Sequence, residues 1–288
     1  MTPQSGAGRP ATFEPPVHWA AYETPAETTT RLRPVRTRRP SRVLAAAVCV
    51  VLGLGLIGGA VTGSWLTGDS AADGTAPAGY AEARGSWHSV PVDTLLPRTI
   101  EGDGAGPGGA DRDWTRIAVA PDSNCANAFD PLLRKALAPV GCERLLRATY
   151  TDATTSSVIT VGLLFTEAQA PAMETLRTRF TGEGLAERAD LMPRTYPVDG
   201  TAAAAFGDRQ RASWTVSVLT DAPVVVYAVS GFADGRTVTD PQPAKPAMAK
   251  GAITAPAQAG LGHEAKGVAD RVERALRKTV APVTETPR

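Results

Sequence analysis

Histidine and cysteine are scarce here, with three of each in 288 residues. Neither Cys125 nor Cys142 has a second cysteine or histidine at ligand spacing, which excludes the usual structural zinc patterns. His263 and Glu264 open an HExxH-like run, but Gly267 stands where the second histidine is required. His88 and His263 could each serve a Ser-His-Asp triad assembled in space, yet no serine lies in a GxSxG elbow. Excess charge is also missing: the net charge of +1 excludes a strongly basic nucleic-acid binder, so no nucleic-acid partner is expected. Gly104, Gly106 and Gly109 match GxGxxG. That run contains Pro107, follows no convincing strand and leads into the strand-like Thr115–Ala120, whereas a dinucleotide fingerprint needs a strand before it and a helix after it. P-loop, haem and iron–sulfur signatures are absent, and no cofactor or metal is expected.

What is present is one long uncharged run. Residues 43–66, VLAAAVCVVLGLGLIGGAVTGSWL, hold 24 positions without a charged side chain. A helix of that length covers about 36 Å, enough to cross a bilayer core of about 30 Å with some tilt. Arg31, Arg33, Arg36, Arg38, Arg39 and Arg42 crowd its N-terminal flank, and the other flank offers only Asp69. Positive residues stay on the cytoplasmic side, so the expected topology is a signal anchor with the N-terminus inside and the C-terminal part extracytoplasmic in the cell membrane. The arginines would also meet anionic headgroups, making the lipid bilayer the first partner. A cleaved signal peptide is the alternative, with Arg38 and Arg39 as a twin-arginine pair. The run is longer than the roughly 7 to 15 residues of a signal h-region, and Pro40 and Ser41 continue the pair poorly. Cys49 reads as a small apolar filler of the span. Gly55, Gly59 and Gly63 recur every fourth position, which suits a helix–helix homodimer.

Residues 1–42 are Pro-, Thr- and Arg-rich and read as a disordered cytoplasmic tail. Within it, Phe13 to Tyr22 could dock a partner and Thr28 to Thr30 could accept phosphate. Residues 67–110 read as a flexible stalk with a packed segment near 87–96, residues 111–280 as an extracytoplasmic α+β domain, and 281–288 as a disordered tail. In an oxidising compartment Cys125 and Cys142 are expected to form a disulfide, worth about 3 kcal/mol for a loop of this length. Between them Asp130 can cap a helix that starts at Pro131, with Phe129, Leu132, Leu133, Ala136 and Leu137 on its apolar face. Leu146–Thr151 and Val158–Thr166 form a hairpin in which Ile159, Val161, Leu163 and Phe165 alternate. A helix from Pro171 to Gly182 buries Met173, Leu176 and Phe180. A second hairpin pairs the strand bearing Trp214, Val216 and Val218 with Pro223–Ser230. Thr-Asp-Ala recurs at both hairpin turns, a possible trace of duplication. An amphipathic helix, Glu264–Thr279, closes the domain with Val268, Val272 and Leu276 inward and the pairs Asp270/Arg274 and Glu273/Arg277 outward. The expected fold is therefore an antiparallel sheet of two hairpins with about three helices, behind one transmembrane helix.

The stretch Asp113–Gly235, with DWTRIAVAPDSNCANAFDPLLRKALAPVGCERLLRATYTDATTSSVITVGLLFTEA and ASWTVSVLTDAPVVVYAVSGFADGR, resembles a set of actinobacterial single-pass membrane proteins without an assigned activity. The layout is similar to the sensor ectodomains of mycobacterial kinases, where a disulfide-stapled helix and sheet follow one span; the two-disulfide pattern and a cytoplasmic kinase are missing here. Both likenesses imply an anchored ectodomain, and neither supplies a functional residue. The function expected is a non-catalytic binding or regulatory module, an accessory of an envelope or secretion assembly with an unknown envelope protein or ligand as partner. The alternative is an anchored extracytoplasmic hydrolase of unrecognised type.

Overall fold

The computed structural model describes residues 79–280 apart from 122–124 and 126. The 43–66 segment, the six flanking arginines and Gly55, Gly59 and Gly63 lie outside the described residues, as do the two terminal tails. Among the described residues no helix is long and apolar enough to cross a membrane.

The described part is a mixed α+β fold built on one seven-stranded sheet. Helices α1 (Tyr80–Ser89) and α2 (Val92–Leu95) lead into β1 (Thr99–Gly102) and β2 (Arg112–Val119). Helix α3 (Pro131–Leu137), β3 (Arg144–Asp152), β4 (Ser157–Phe165) and α4 (Ala170–Gly182) follow. The chain then adds β5 (Ser213–Val218), β6 (Val224–Phe232) and β7 (Gln242–Pro243), and ends with the short α5 (Ala244–Ala247) and α6 (Ala255–Gln258) and the long α7 (Leu261–Val280). Strand order is β1-β2-β3-β4-β6-β5-β7, antiparallel except that β7 runs parallel to β5.

The two expected hairpins are present and pair with each other through β4 and β6. The sheet is larger than two hairpins because β1, β2 and β7 extend it. Residues 80–110, expected as a stalk with a packed segment near 87–96, form α1, α2, β1 and the β1–β2 loop; Leu95 and Leu96 of that segment lie inside the core, and so do Ala83 and Ile100 outside it. Their apolar residues are too few for a visible period. The GxGxxG run has a strand on both sides, so it is a hairpin loop.

Both faces of the sheet are covered, which explains why every residue of β4 is buried. Ile159, Val161, Leu163 and Phe165 pack towards α1, α2 and α7, meeting Val268, Val272 and Leu276. Leu164 packs on the other face with α3 and α4, against Met173, Leu176 and Phe180, while Val158 joins Phe206 and Trp214. A strand buried on both sides reads as a continuous apolar run rather than a clean alternation, and SVITVGLLF is such a run. Helices α4 and α7 match their expected faces. Leu132 departs, being 48% exposed. Asp130 takes the cap position of α3 without capping it, because its carboxylate reaches Arg194 and Arg211, each at 2.7 Å.

Cys125 and Cys142 form the expected disulfide, with Cα atoms 6.3 Å apart. Cys142→Ser should lower stability by about 3 kcal/mol, read as a lower denaturant midpoint with a steeper slope, since the unlinked unfolded chain exposes more surface. The domain's first and last described residues also meet: a Cβ on Gly79 would collide with the Val280 carbonyl.

Candidate functional site

Clefts gather around the first half of α7, where Trp114 of β2 determines the geometry. Its indole is wedged between two glycines: a Cβ on Gly267 would lie 2.6 Å from Trp114 Cη2, and one on Gly102 would collide with the same ring. The ring's N–H donates to Glu264 Oε2 at 2.5 Å, and Arg112 Nε stands 3.1 Å from Oε1. Glu264 is only 3% exposed. Burial pushes its carboxyl above the ordinary carboxylate range; Trp114 and Arg112 pull it back only in part, and the charge of Asp152 adds to the rise.

A cleft of about 300 Å³ opens beside this pair, lined by Arg112, Glu264, Leu261, Phe232 and the β3–β4 turn with Asp152, Thr154, Ser156 and Ser157. Two carboxyls driven in opposite directions across one cleft are the arrangement an acid–base pair needs. Asp152, however, is already occupied on both oxygens. Oδ1 accepts from Ser156 N at 2.8 Å, Ser157 N at 2.6 Å and Ser157 Oγ at 2.9 Å. Oδ2 accepts from Thr154 N at 3.1 Å, Ser156 Oγ at 3.0 Å and the Thr154 hydroxyl. Burial alone would raise Asp152; these bonds outweigh it and bring the pKa down to about 2. Asp152 is thus engaged in holding its turn.

On the other side of Glu264 runs a longer groove between α7 and the β1–β2 loop. One part, about 470 Å³, is lined by Asp103, Gly104 to Gly106, Gly108 and Gly109 on the loop side and by His263, Lys266, Asp270, Arg271 and Arg274 on the helix. A second part, about 440 Å³, shares Asp103, Arg271 and Arg274 and adds Glu101, Ala275 and Lys278. Lys266 pairs with Asp270 at 2.5 Å, replacing the expected Asp270/Arg274 pair, while Glu273 and Arg277 pair as expected. Arg274 and Lys278 have no ion-pair partner among the described residues and are exposed. Arg271 instead crosses to the sheet: Nε donates to Glu101 O at 2.7 Å and Nη2 to Asp103 O at 2.9 Å. Burial, together with the neighbouring Arg274 charge, lowers its pKa.

His263 faces this groove with Nδ1 2.9 Å from the Ala105 carbonyl, which can only accept, so Nδ1 carries the proton. No serine lines the groove. His88 lies elsewhere, exposed at the end of α1, its ring 4.9 Å from that of Trp87, over which Arg144 stacks at 4.4 Å. His88 and His263 are therefore not brought together, and among the described residues neither lines any of these clefts together with a serine. The recurring Thr-Asp-Ala turns differ as well: Asp221 reaches Arg277 at 2.6 Å, while Asp152 binds its own turn.

The opposite face offers an apolar hollow of about 140 Å³ beside the disulfide, lined by Cys125, Cys142, Phe129, Leu137 and Leu164. Near it Tyr227 is fully buried, its hydroxyl without a hydrogen-bond partner among the described residues and its ring lying over Gly162. Burial raises its pKa. A buried unmet hydroxyl is unfavourable, so Tyr227→Phe should leave stability unchanged or raise it by about 1 kcal/mol, measured by thermal unfolding.

Arg112 and Arg271 were not marked by any local motif, since their partners lie far away along the chain. A signal did exist for Asp152, because Asp followed by Thr and Ser two to five positions on favours a side-chain-closed turn. No protein-family model, curated protein or solved structure matches the chain.

Proposed function

We propose that this chain is a single-pass cell-membrane protein, N-terminus cytoplasmic, whose α+β domain acts outside the membrane as a non-catalytic binding or regulatory module, an accessory of an envelope or secretion assembly. The observation that carries the reading is the groove along α7, open to solvent, charged on both walls and lined by a glycine loop. Grooves of this kind suit recognition. The 43–66 run with its arginine flank supports the anchor, and the disulfide supports an oxidising compartment. Dimerisation through Gly55, Gly59 and Gly63 belongs to the same proposal, and a Gly59→Leu variant that still crosslinks as a dimer would remove it.

The test is topology with retention. A phosphatase reporter fused after Arg288 should be active outside the cytosol, and the mature chain should keep residues 1–66. A cytosolic reporter, or loss of those residues, would sink the anchor reading.

A second reading, an anchored hydrolase, draws on Glu264, a buried carboxyl with raised pKa at the mouth of the 300 Å³ cleft. It is tested with a panel of ester, peptide, phosphate and glycoside substrates. The binding reading expects no turnover that differs between the native chain and Glu264→Gln; turnover lost in Glu264→Gln would favour the hydrolase.

A further inference from the structure

Strand β1 forms one edge of the sheet and pairs only with β2 among the described residues. Its register determines which backbone groups face outward. Arg116 N donates to Arg98 O at 2.8 Å, so 98 and 116 form a hydrogen-bonded pair, and by alternation so do 100 with 114 and 102 with 112. Thr99 and Glu101 therefore turn their N–H and C=O groups away from the sheet, and Glu101 lines the groove beside α7. Arg271 meets the Glu101 carbonyl there, and by taking Asp103 O as well it occupies acceptors that an added strand would use. The outward N–H groups of Thr99 and Glu101 are left without a strand partner among the described residues.

The groove continues past this edge. From His263 to Lys278 it follows about 22 Å of helix, the span of six or seven extended residues at about 3.4 Å each. Arg271, Arg274 and Lys278 lie at i, i+3 and i+7 on the same helical side. Arg274 and Lys278 have no ion-pair partner among the described residues, and Arg271 is held by backbone carbonyls and lies over the Trp114 ring at 5.6 Å, without a carboxylate partner among the described residues. Opposite stand Glu101 and Asp103, which would repel a uniform polyanion but can face alternate side chains of a strand.

We propose that β1 accepts an extended, acid-bearing peptide segment of a partner protein as an eighth strand, with its carboxylates on Arg271, Arg274 and Lys278. In this exchange a peptide N–H takes over the Glu101 carbonyl, and the released Arg271 guanidinium turns to a peptide carboxylate, a stronger and bidentate partner. Backbone pairing gives the affinity and the basic row gives the register. The proposal rests on the binding-module reading, but the two fail separately: that reading falls on topology or turnover, this one on the peptide experiment.

The full-length protein is titrated with two fluorescent pools of octapeptides, β-branched residues alternating with Glu or Asp in one and with Lys or Arg in the other. The acidic pool should bind, and the combined Arg274→Glu and Lys278→Glu changes, both at exposed positions, should weaken it about tenfold or more. Thr99→Pro removes an outward donor while leaving the β1–β2 ladder intact, as proline on an edge strand can, and should weaken binding about as much. Hydrogen exchange supplies a check that needs no variant: the Thr99 and Glu101 amides should be protected when the acidic pool is added. Equal binding of the basic pool, no binding at about millimolar peptide, or unprotected Thr99 and Glu101 amides would each overturn the proposal. Full displacement of the peptide by an equal concentration of citrate would overturn it as well, by identifying a small-anion site.

Discussion

Completing the zinc-like motif by Gly267→His should produce no metal site and should lower stability by about 4 kcal/mol, past the ordinary range for overpacking. The reason is Trp114. At Gly267 a Cβ would already stand 2.6 Å from Cη2 and 3.0 Å from Cζ2 of the indole. The ring cannot withdraw, because Gly102 lies against it and its N–H is tied to Glu264. Gly267→Ala is the sharper control. Alanine in a helix interior is favoured over glycine by about 1 kcal/mol, so propensity alone predicts a gain, whereas the wedge predicts a loss of about 2 kcal/mol. Chemical denaturation of both variants decides the sign. A stabilised Gly267→Ala would mean that the indole is not locked between the two glycines.

The second large effect is at Asp152. Asp152→Ala should lose about 4 kcal/mol. Roughly 2 of these follow from a pKa brought from 3.8 to about 2, and the rest from leaving the Ser157 N–H and hydroxyl buried without an acceptor. The pH dependence has a definite sign. A carboxyl whose folded pKa is depressed stabilises above its unfolded pKa, and the contribution disappears as pH falls through the folded value. Stability of the native chain should therefore decline from about pH 4 to about pH 2, and Asp152→Asn should flatten that limb. Asp93, Asp190 and Asp234 are also shifted down by arginine partners, but they are exposed and screened, so their share is small. Glu264 acts the other way. Its folded pKa is raised, so its contribution is complete below the unfolded pKa and is lost as pH rises through the folded one.

Much of the domain's skeleton was legible in the sequence. Alternation in Ile159, Val161, Leu163 and Phe165 and the four-residue recurrence of Val268, Val272 and Leu276 are local patterns, and each element appears where its pattern lies. Cys125 and Cys142 needed only a compartment and a spacing. The sheet's width was not legible, because β1 has four residues and β7 two, too short to show a period. Asp130 illustrates another limit: its position before Pro131 fits a cap, but two arginines from distant loops compete for the carboxylate. The clefts were least visible of all. Trp114 and Glu264 stand 150 positions apart, and nothing near either residue announces the other. Gly267, which excluded a zinc site when read from the sequence, proves to be the seat of that tryptophan.

The meeting of Gly79 with Val280 gives the domain a single doorway for both ends of its backbone. Joining the two ends with a short linker and cutting a surface loop instead would yield a rearranged chain with the same interior, and the fold is shaped to tolerate it.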